Sequence, residues 1–256
     1  MSLIEYEKKN HLVTVTMNRP EKMNALSEEM FIDLRNAWAK YEADDDAWLA
    51  IITGKGKAFC SGGDTKMFAD GLKGGDFLSY LADITARDPL IGGHLTKPTM
   101  SVINGYALGG GFDMVLGTDL RIASESAKMQ ITEVKINGFL MLWDNLPYAQ
   151  AAELLSGAMI TGRRAFEMGI VNRVAPEEQL WDTAMEMAED ILSRPPQAVY
   201  HHLKALREMK RASVPMPSQW LHEYSFAVGR SLSHTEDWKE ANSALLERRK
   251  PEFKNK

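Results

Sequence analysis

The sequence predicts an α/β fold whose last third is helical. Twice, a strand, a glycine-rich loop, a helix and a further strand follow one another, with a Gly-Gly pair at the strand exit, which is typical of α/β domains. Strand signals then stop after about Ala175. With 256 residues, 45% of them hydrophobic, the chain is long enough to bury a substantial core.

The charge balance and the cysteine count exclude several protein classes. Thirty Lys and Arg residues against 35 Asp and Glu give a formal net charge of −5, which provides no global field to attract nucleic acid. No stretch approaches the roughly 18 apolar residues of a membrane span, and the start does not resemble a signal peptide. The single cysteine, Cys60, excludes an internal disulfide and a cysteine-based zinc site. We therefore expect a cytoplasmic protein that binds neither nucleic acid nor membranes.

The first predicted elements are a strand and an amphipathic helix. The alternating, β-branched segment HLVTVTMN predicts a strand, and the following NRPEKMN predicts a turn. Ser27 is expected to cap a helix, because acidic residues fill the next turn and apolar residues recur at helical spacing. These apolar residues are Met30, Leu34, Ala37, Trp38 and Tyr41.

Later strands lead into glycines. WLAIITGKG predicts a buried strand, FCSGGD a glycine-rich loop, and residues 76–85 a helix. PTMSVING predicts the next strand, followed by three glycines, a helix near residues 112–117 and the strand TDLRIASE. Beyond these, two long segments on either side of the breaker SVPMPS predict helices.

The glycines of SGGD and of residues 109–111 admit two interpretations. The triple glycine lacks the Lys-Ser/Thr of a P-loop and the spacing of a dinucleotide-binding fold. In the first interpretation, the glycines allow a tight turn and close packing of the backbone. Alternatively, they let a ligand approach the backbone, where free N–H groups at a helix start donate to a developing oxyanion. Two such loops would supply one donor each, with Asp113 one turn inside the helix.

Five motifs, in order, resemble the crotonase family, also called the enoyl-CoA hydratase/isomerase superfamily. They are TMNRPEKMNALS, GKAFCSGGD, KPTMSVINGYALGGGFD, ITEVKING and TGRRAFEMGIVNRVAP, and the tail ERRKPEF is more loosely similar. The resemblance implies a crotonase-like spiral of ββα units with a C-terminal helical trimerisation region. It also implies a homotrimer or a homohexamer.

The resemblance further implies an acyl-CoA thioester substrate whose carbonyl oxygen binds two backbone N–H groups. In this chain those donors fall at Gly63 and Gly110. Donors aimed at this oxygen stabilise an enolate, so the site needs acids and bases but no metal or further cofactor. The family's water-activating and α-proton-exchanging carboxylates fall at Asp113 and Glu133 respectively. Glu133 matches by type, whereas Asp113 is one methylene shorter and also resembles the dienoyl-CoA isomerases.

The chain departs from the family after Glu133. Where relatives usually carry a glycine-rich stretch, it has GFLMLWDNLPYAQAAELLSG, shorter by about seven residues. We expect residues 139–143, including Trp143, to line a remodelled apolar acyl pocket, although a role in the core fits them equally well. The additional aspartate of the dienoyl-CoA isomerases is missing near Met141, but Asp144 lies close by and would substitute for it or face water.

The resemblance also indicates where coenzyme A binds. The backbone of one turn and a lysine near the phosphates form one part, and the tail of the same or a neighbouring subunit forms the other. The residues concerned are Lys22, Met23, Ala25, Lys66, Phe253 and Lys254. A compact ammonium group beside a phosphate is physically reasonable.

Other reactive residue types are interpreted as structural. Asp64 ends a loop, Cys60 has no nearby histidine in sequence, and the pair His201-His202 lies in an amphipathic segment. No histidine or carboxylate spacing indicates a metal site.

These observations lead to one expectation about function. We expect an acyl-CoA-binding core over residues 1–175, a helical oligomerisation region over 176–256, and reversible hydration of a 2-enoyl-CoA to a 3-hydroxyacyl-CoA. A double-bond isomerase is the nearest alternative, followed by thioester hydrolysis, C–C cleavage and a non-catalytic CoA-binding protein. The apolar residues expected to need partners in an oligomer are Trp220, Tyr224, Phe226 and Leu232.

Overall fold

A computed structural model describes residues 2–67, 69, 95–136, 146–194, 196–213, 230 and 233–249. The helix expected over 76–85 and the apolar residues expected at an oligomer interface lie outside the described residues.

Ten strands of the described chain form two sheets. They are β1 (Ile4–Lys9), β2 (Leu12–Met17), β3 (Leu49–Gly54), β4 (Ala58–Cys60), β5 (Thr99–Ile103), β6 (Tyr106–Leu108), β7 (Leu120–Ser124), β8 (Lys128–Gln130), β9 (Ile160–Thr161) and β10 (Arg173–Ala175). The larger sheet has the order β1-β2-β3-β5-β7-β10, and the smaller has β4-β6-β8-β9. The pairs β1–β2 and β8–β9 are antiparallel, and all other pairs are parallel.

The order of strands in the two sheets shows a spiral. Strands β3, β5 and β7 are neighbours in the larger sheet, and the strands that follow each of them, β4, β6 and β8, are neighbours in the smaller one. Each turn of the chain therefore adds one strand to each sheet, so equivalent loops of successive turns lie side by side.

Seven α-helices are described. They are α1 (Glu28–Ala43), α2 (Gly110–Gly117), α3 (Tyr148–Leu155), α4 (Gly162–Glu167), α5 (Leu180–Leu192), α6 (Pro196–Ser213) and α7 (Glu236–Glu247). Single turns of 3-10 helix occur at Pro20–Lys22, Glu133–Ile136 and Glu177–Gln179. Within the described chain, no helix has both the length and the apolar character needed to span a bilayer.

The larger sheet separates two hydrophobic clusters because its side chains alternate between faces. Leu49 and Ile51 of β3 pack in the cluster that contains Ala184 of α5. Ala50 and Ile52, on the opposite face, pack in the cluster that contains α1 and the smaller sheet. The smaller sheet therefore packs against one face of the larger sheet.

The expected N-terminal elements are confirmed. Strand β2 lies within HLVTVTMN, and the hydroxyl of Ser27 accepts a hydrogen bond from the Met30 N–H at 3.3 Å, capping α1. The five predicted apolar residues of α1 are all buried. One boundary differs: Phe59 and Cys60, assigned to a loop, belong to β4, which pairs with β6.

The described part of the chain after Ala175 is helical, as expected. However, α5 packs on the larger sheet, so the hydrophobic core continues past residue 175. Arg207 of α6 forms an ion pair with Asp119 at 2.6 Å, and α7 contacts the 3-10 helix Glu133–Ile136. The oligomerisation role of residues 176–256 stays a prediction.

Candidate active site

The candidate site lies at the carboxyl ends of three neighbouring parallel strands of the smaller sheet. Gly63 follows the end of β4, Gly110 follows the end of β6, and Glu133 follows the end of β8. Neighbouring strands are about 4.8 Å apart. The spiral therefore brings together three residues that are far apart in sequence.

Gly63 is held by a parallel bridge to Leu26. The Leu26 N–H donates to the Gly62 carbonyl at 2.8 Å, and the Asp64 N–H donates to the Leu26 carbonyl at 2.9 Å. In a parallel bridge, the residue whose two neighbours form the hydrogen bonds directs its own N–H away from the partner strand. The Gly63 N–H is therefore directed away from Leu26, and Gly63 is half-buried.

Gly110 is the first residue of α2. The N–H groups of the first helical turn have no partner within the helix. The preceding residue, Gly109, has φ 50° and ψ −125°, a conformation that favours glycine, and its N–H donates to the Gln130 carbonyl at 3.0 Å. Gly109 and Gly111 are buried, whereas Gly110 is half-buried.

Close packing of glycines joins the two loops. A β-carbon on Gly62 would lie 2.7 Å from the Leu108 carbonyl oxygen and 3.4 Å from the Gly110 nitrogen. A β-carbon on Gly111 would collide with the Cys60 carbonyl oxygen. Close packing therefore accounts for these glycines and brings the SGGD loop against the turn that contains Gly110. The interpretation in which the two N–H groups bind an oxyanion stays a prediction.

Two carboxyl groups lie beside these loops. Asp113 is in the first turn of α2, and Glu133 begins the 3-10 helix after β8. A β-carbon on Gly109 would lie 3.1 Å from Glu133 Oε1, so this carboxyl group is next to the turn that precedes Gly110. Both side chains are half-buried overall, but Asp113 Oδ1 and Glu133 Oε2 are shielded from solvent without a hydrogen-bond partner among the described residues.

Burial shifts the protonation of both groups. Desolvation, and then repulsion from Glu133, raises the pKa of Asp113 well above its ordinary 3.8. Desolvation also raises the pKa of Glu133 above 4.5, although hydrogen bonds from the N–H groups of Glu133 and Thr132 act in the opposite direction. Repulsion between the two carboxylates opposes the ionisation of both at once, as in pairs that act as one acid and one base.

The other predicted contact residues lie on the turn beside the SGGD loop. The Ser61 N–H donates to the Met23 carbonyl at 3.0 Å, and the Ala25 N–H donates to the Lys22 carbonyl at 3.1 Å. Lys22 and Lys66 are exposed, Met23 is half-buried with φ 52°, and Ala25 is buried. The backbone of this turn is thus near Gly63, but the Ala25 side chain does not reach a surface. Trp143, Asp144, Phe253 and Lys254 lie outside the described residues.

The residues interpreted as structural have contacts that fit this interpretation. The Asp64 carboxylate pairs with Arg19 and accepts a hydrogen bond from the Lys66 N–H at 2.8 Å. Cys60 is fully buried, and burial raises the pKa of its thiol to about 12. His201 and His202 are exposed. No group of three or more metal-ligating side chains occurs in the described ranges.

Sequence reasoning missed two residues that build the site. The buried Asn24 amide accepts from the Arg19 N–H at 2.9 Å and donates to the Ala58 carbonyl at 2.8 Å, which fixes the turn before Ala25. An asparagine after NRPEKM is a recognisable signal, because Asn tolerates positive φ and Asn24 has φ 56°. Gln130 is the second residue, and its bonds to Gly157 and Lys135 had no sequence signal.

The chain is similar to known acyl-CoA enzymes over nearly its whole length. The sequence model of the enoyl-CoA hydratase/isomerase family matches residues 7–256. The chain is 35% identical to an enoyl-CoA hydratase of Mycobacterium tuberculosis over 98% of its length and 96% of the relative's. It is 38% identical to the (E)-benzylidenesuccinyl-CoA hydratase of Thauera aromatica over 98% of both chains.

Solved structures share the spiral. The crystal structure of a carnitinyl-CoA hydratase from Mycobacterium avium superposes with a TM-score of 0.83 at 26% identity over 100% of both chains. A methylmalonyl-CoA decarboxylase complexed with 2S-carboxypropyl CoA gives a TM-score of 0.85 at 28% identity, over 100% of this chain and 99% of the other. The expected crotonase-like fold is confirmed, and the chain belongs to the enoyl-CoA hydratase/isomerase family.

Proposed function

We propose that the protein adds water reversibly to a 2-enoyl-CoA and forms a 3-hydroxyacyl-CoA. The observation that carries the proposal is the pair of half-buried carboxyl side chains, Asp113 and Glu133, each with one solvent-shielded oxygen, beside the half-buried Gly63 and Gly110 at neighbouring strand ends. Hydration needs a group that accepts a proton from water, a group that delivers one, and donors for the thioester oxygen.

The chemistry assigns one role to each group. The Gly63 and Gly110 N–H groups donate to the thioester carbonyl oxygen. The Asp113 carboxylate takes a proton from water as the water oxygen bonds to the β-carbon, and the C=C electrons move into an enolate. Glu133 then gives its proton to the α-carbon, and the carbonyl re-forms. Desolvation raises the pKa of both carboxyl groups, so each holds a proton more readily than it would in water.

Relatives support the reaction type. Proteins named enoyl-CoA hydratase and (E)-benzylidenesuccinyl-CoA hydratase align over nearly the whole chain. We extend the proposal to coenzyme A contacts at Lys22, Met23, Ala25 and Lys66. A homotrimer or homohexamer, a cytoplasmic location and a reaction without a metal or a further cofactor are also expected. Light scattering at micromolar concentration tests the oligomer, and a monomer would contradict it.

Substitution of the two carboxylates tests the reaction. Glu133→Gln and Asp113→Asn are each expected to abolish hydration of a short 2-enoyl-CoA, followed as loss of the conjugated thioester. Asp113→Glu is expected to keep or raise activity, because it restores the longer reach of the family's usual residue. Glu178→Gln, which changes an exposed carboxylate of the 3-10 helix Glu177–Gln179, is the matched control and should leave the rate unchanged.

The same set of variants separates hydratase from isomerase. An isomerase moves a proton between two carbons with a single base, so one of the two amides would keep substantial activity on a 3-enoyl or dienoyl substrate. Wild-type protein that shifts double bonds but forms no 3-hydroxyacyl-CoA would overturn the proposal. An active Glu133→Gln protein would overturn the site.

A proline substitution tests the oxyanion donor. Gly110→Pro removes the N–H, and losing one such donor costs about 10²–10³ in rate. Folded Gly110→Pro protein, as judged by circular dichroism, that keeps full activity would exclude Gly110 from this role.

A further inference from the structure

The short helix that carries Glu133 needs support from outside. Glu133–Ile136 is a single 3-10 turn, a geometry with weak hydrogen bonds that rarely persists by itself. One backbone bond at its start runs from the Lys135 N–H to the Thr132 carbonyl at 2.9 Å. The position of the Glu133 carboxyl group therefore depends on what holds this turn.

The buried side chain of Gln130 holds the turn on two sides. Gln130 is 5% exposed. Its Nε2 donates to the Gly157 carbonyl at 2.6 Å, and its Oε1 accepts from Lys135 Nζ at 2.7 Å. Lys135 belongs to the 3-10 turn, so the amide connects this turn to the loop after α3.

Contact between Val134 and Gly157 closes the connection. Gly157 has φ +86°, and a β-carbon there would lie 2.6 Å from Val134 Cγ2. The contacts thus form a closed ring. Gln130 bonds to Gly157, and Gly157 packs against Val134. Val134 is joined through the backbone to Lys135, which bonds back to Gln130. Such a closed set of contacts restrains the turn more than any single bond.

The backbone of Gln130 restrains the other half of the site. Its carbonyl accepts the Gly109 N–H at 3.0 Å, one residue before Gly110, and Gln130 pairs with Leu108 in the sheet. One residue therefore contacts both the turn that presents the Gly110 N–H and the turn that presents Glu133.

We propose that Gln130 is a positioning residue, which sets the Glu133 carboxyl group relative to the Gly110 N–H through its bonds to Lys135 and Gly157. The inference rests on the proposed function, because it concerns the acid of that reaction. Gln130 does not contact the reacting atoms. Its loss is expected to slow the chemical step and to leave acyl-CoA binding intact.

Three single substitutions test this role. Gln130→Met keeps the length of the side chain and removes both bonds, whereas Lys135→Met removes only the bond to the exposed lysine. Lys128→Met, on the same strand and without a described side-chain bond, is the matched control. For a short 2-enoyl-CoA we expect kcat of Gln130→Met to fall about 10- to 100-fold, since a displacement of about 1 Å costs about 100-fold.

The split between kcat and KM and a double substitution exclude a general loss of folding. We expect KM to stay within about twofold of wild type and Lys135→Met to lose about 3- to 10-fold in kcat. The double variant should lose less than the product of the single effects, because the two residues share one contact. If Gln130→Met does not fold, Lys135→Met decides alone: an unchanged kcat overturns the inference.

Four results would overturn the inference. In the first, Gln130→Met matches Lys128→Met in kcat. In the second, its loss of activity equals the loss of folded protein. In the third, Lys135→Met is fully active while Gln130→Met is not. The fourth is wild-type protein that hydrates no 2-enoyl-CoA, and it alone also removes the proposed function.

Discussion

Gly109→Ala should displace the Glu133 carboxyl group from its position beside Gly110. Gly109 has φ 50°, and a new β-carbon would lie 2.5 Å from Thr132 Oγ1 and 3.1 Å from Glu133 Oε1. The first distance is too short for any real contact, so Thr132 must move, and Glu133 must yield by a few tenths of an ångström or more.

The structure contains a control that separates strain from collision. Gly169 has φ +73°, but a β-carbon there meets nothing within 4 Å. Gly169→Ala should therefore cost only the conformational penalty, about 1–2 kcal/mol of unfolding free energy. Gly109→Ala adds the collision, about 1–3 kcal/mol more by analogy with an overpacked core, and its ψ of −125° increases the conformational penalty as well. For a chain of this size each kcal/mol lowers Tm by about 2–4 °C.

Activity should separate the two variants more clearly than stability. We expect Gly169→Ala to keep wild-type kcat, and Gly109→Ala to lose about 100-fold if Glu133 moves by about 1 Å. The assay is hydration of a short 2-enoyl-CoA, with Tm measured on the same samples. Equal Tm losses and equal kcat in the two variants would refute the described packing of Gly109 against Thr132 and Glu133.

Three further predictions follow from the charges and burial in the described structure. Asp113→Asn should be inactive but about 1–3 kcal/mol more stable than wild type at pH 8. Because the folded pKa of Asp113 is raised, wild type loses stability as pH rises above 3.8. A stability advantage of Asp113→Asn that does not grow with pH in urea titrations would contradict this. Burial opposes ionisation of Asp64, but hydrogen bonds from Arg19 and the Lys66 N–H lower its pKa below 3.8. The pair therefore stabilises the fold above that pH and is lost as pH falls through the lower value, so Arg19→Met should cost about 1–3 kcal/mol at pH 7 and show a weaker acid dependence. Cys60, with its pKa raised to about 12, should react with a disulfide reagent only after unfolding, and rapid reaction of native protein would disprove its burial.

Local sequence signals predicted the elements that are stabilised locally. Strand β2 contains an alternating, β-branched segment, and α1 begins at a serine cap and buries six apolar residues, five of which helical spacing identified, so both could be predicted directly. The strands β4, β6 and β8 have three residues each, which is too short for a periodic pattern. They exist because the spiral pairs them, and pairing is not visible in a single segment.

The residues of the candidate site also divide into those that a local sequence signal identifies and those that only long-range contacts define. Asp113, Glu133, Gly63 and Gly110 lie in motifs that resemble the family, and the structure brings them together. Contacts between distant residues could not be predicted: Arg19 and Asp64 are 45 positions apart, and Gln130 and Gly157 are 27 apart. Such contacts depend on how the chain folds back on itself, and neither partner has a residue type that identifies the other.

The strand ends lie side by side but lead into separate loops, so evolution can change one loop without changing the others. Each of these strands leads into a separate loop: Gly63 follows β4, Gly110 and Asp113 follow β6, and Glu133 follows β8. The stretch that the resemblance predicts to be shorter than in relatives begins after Glu133, downstream of the strands that precede Gly63 and Gly110. Under the proposed function, insertions or deletions there would alter the surroundings of the acyl group while β4 and β6 keep their sheet pairing. One scaffold would then acquire new acyl preferences without rebuilding the loops proposed to bind the thioester carbonyl.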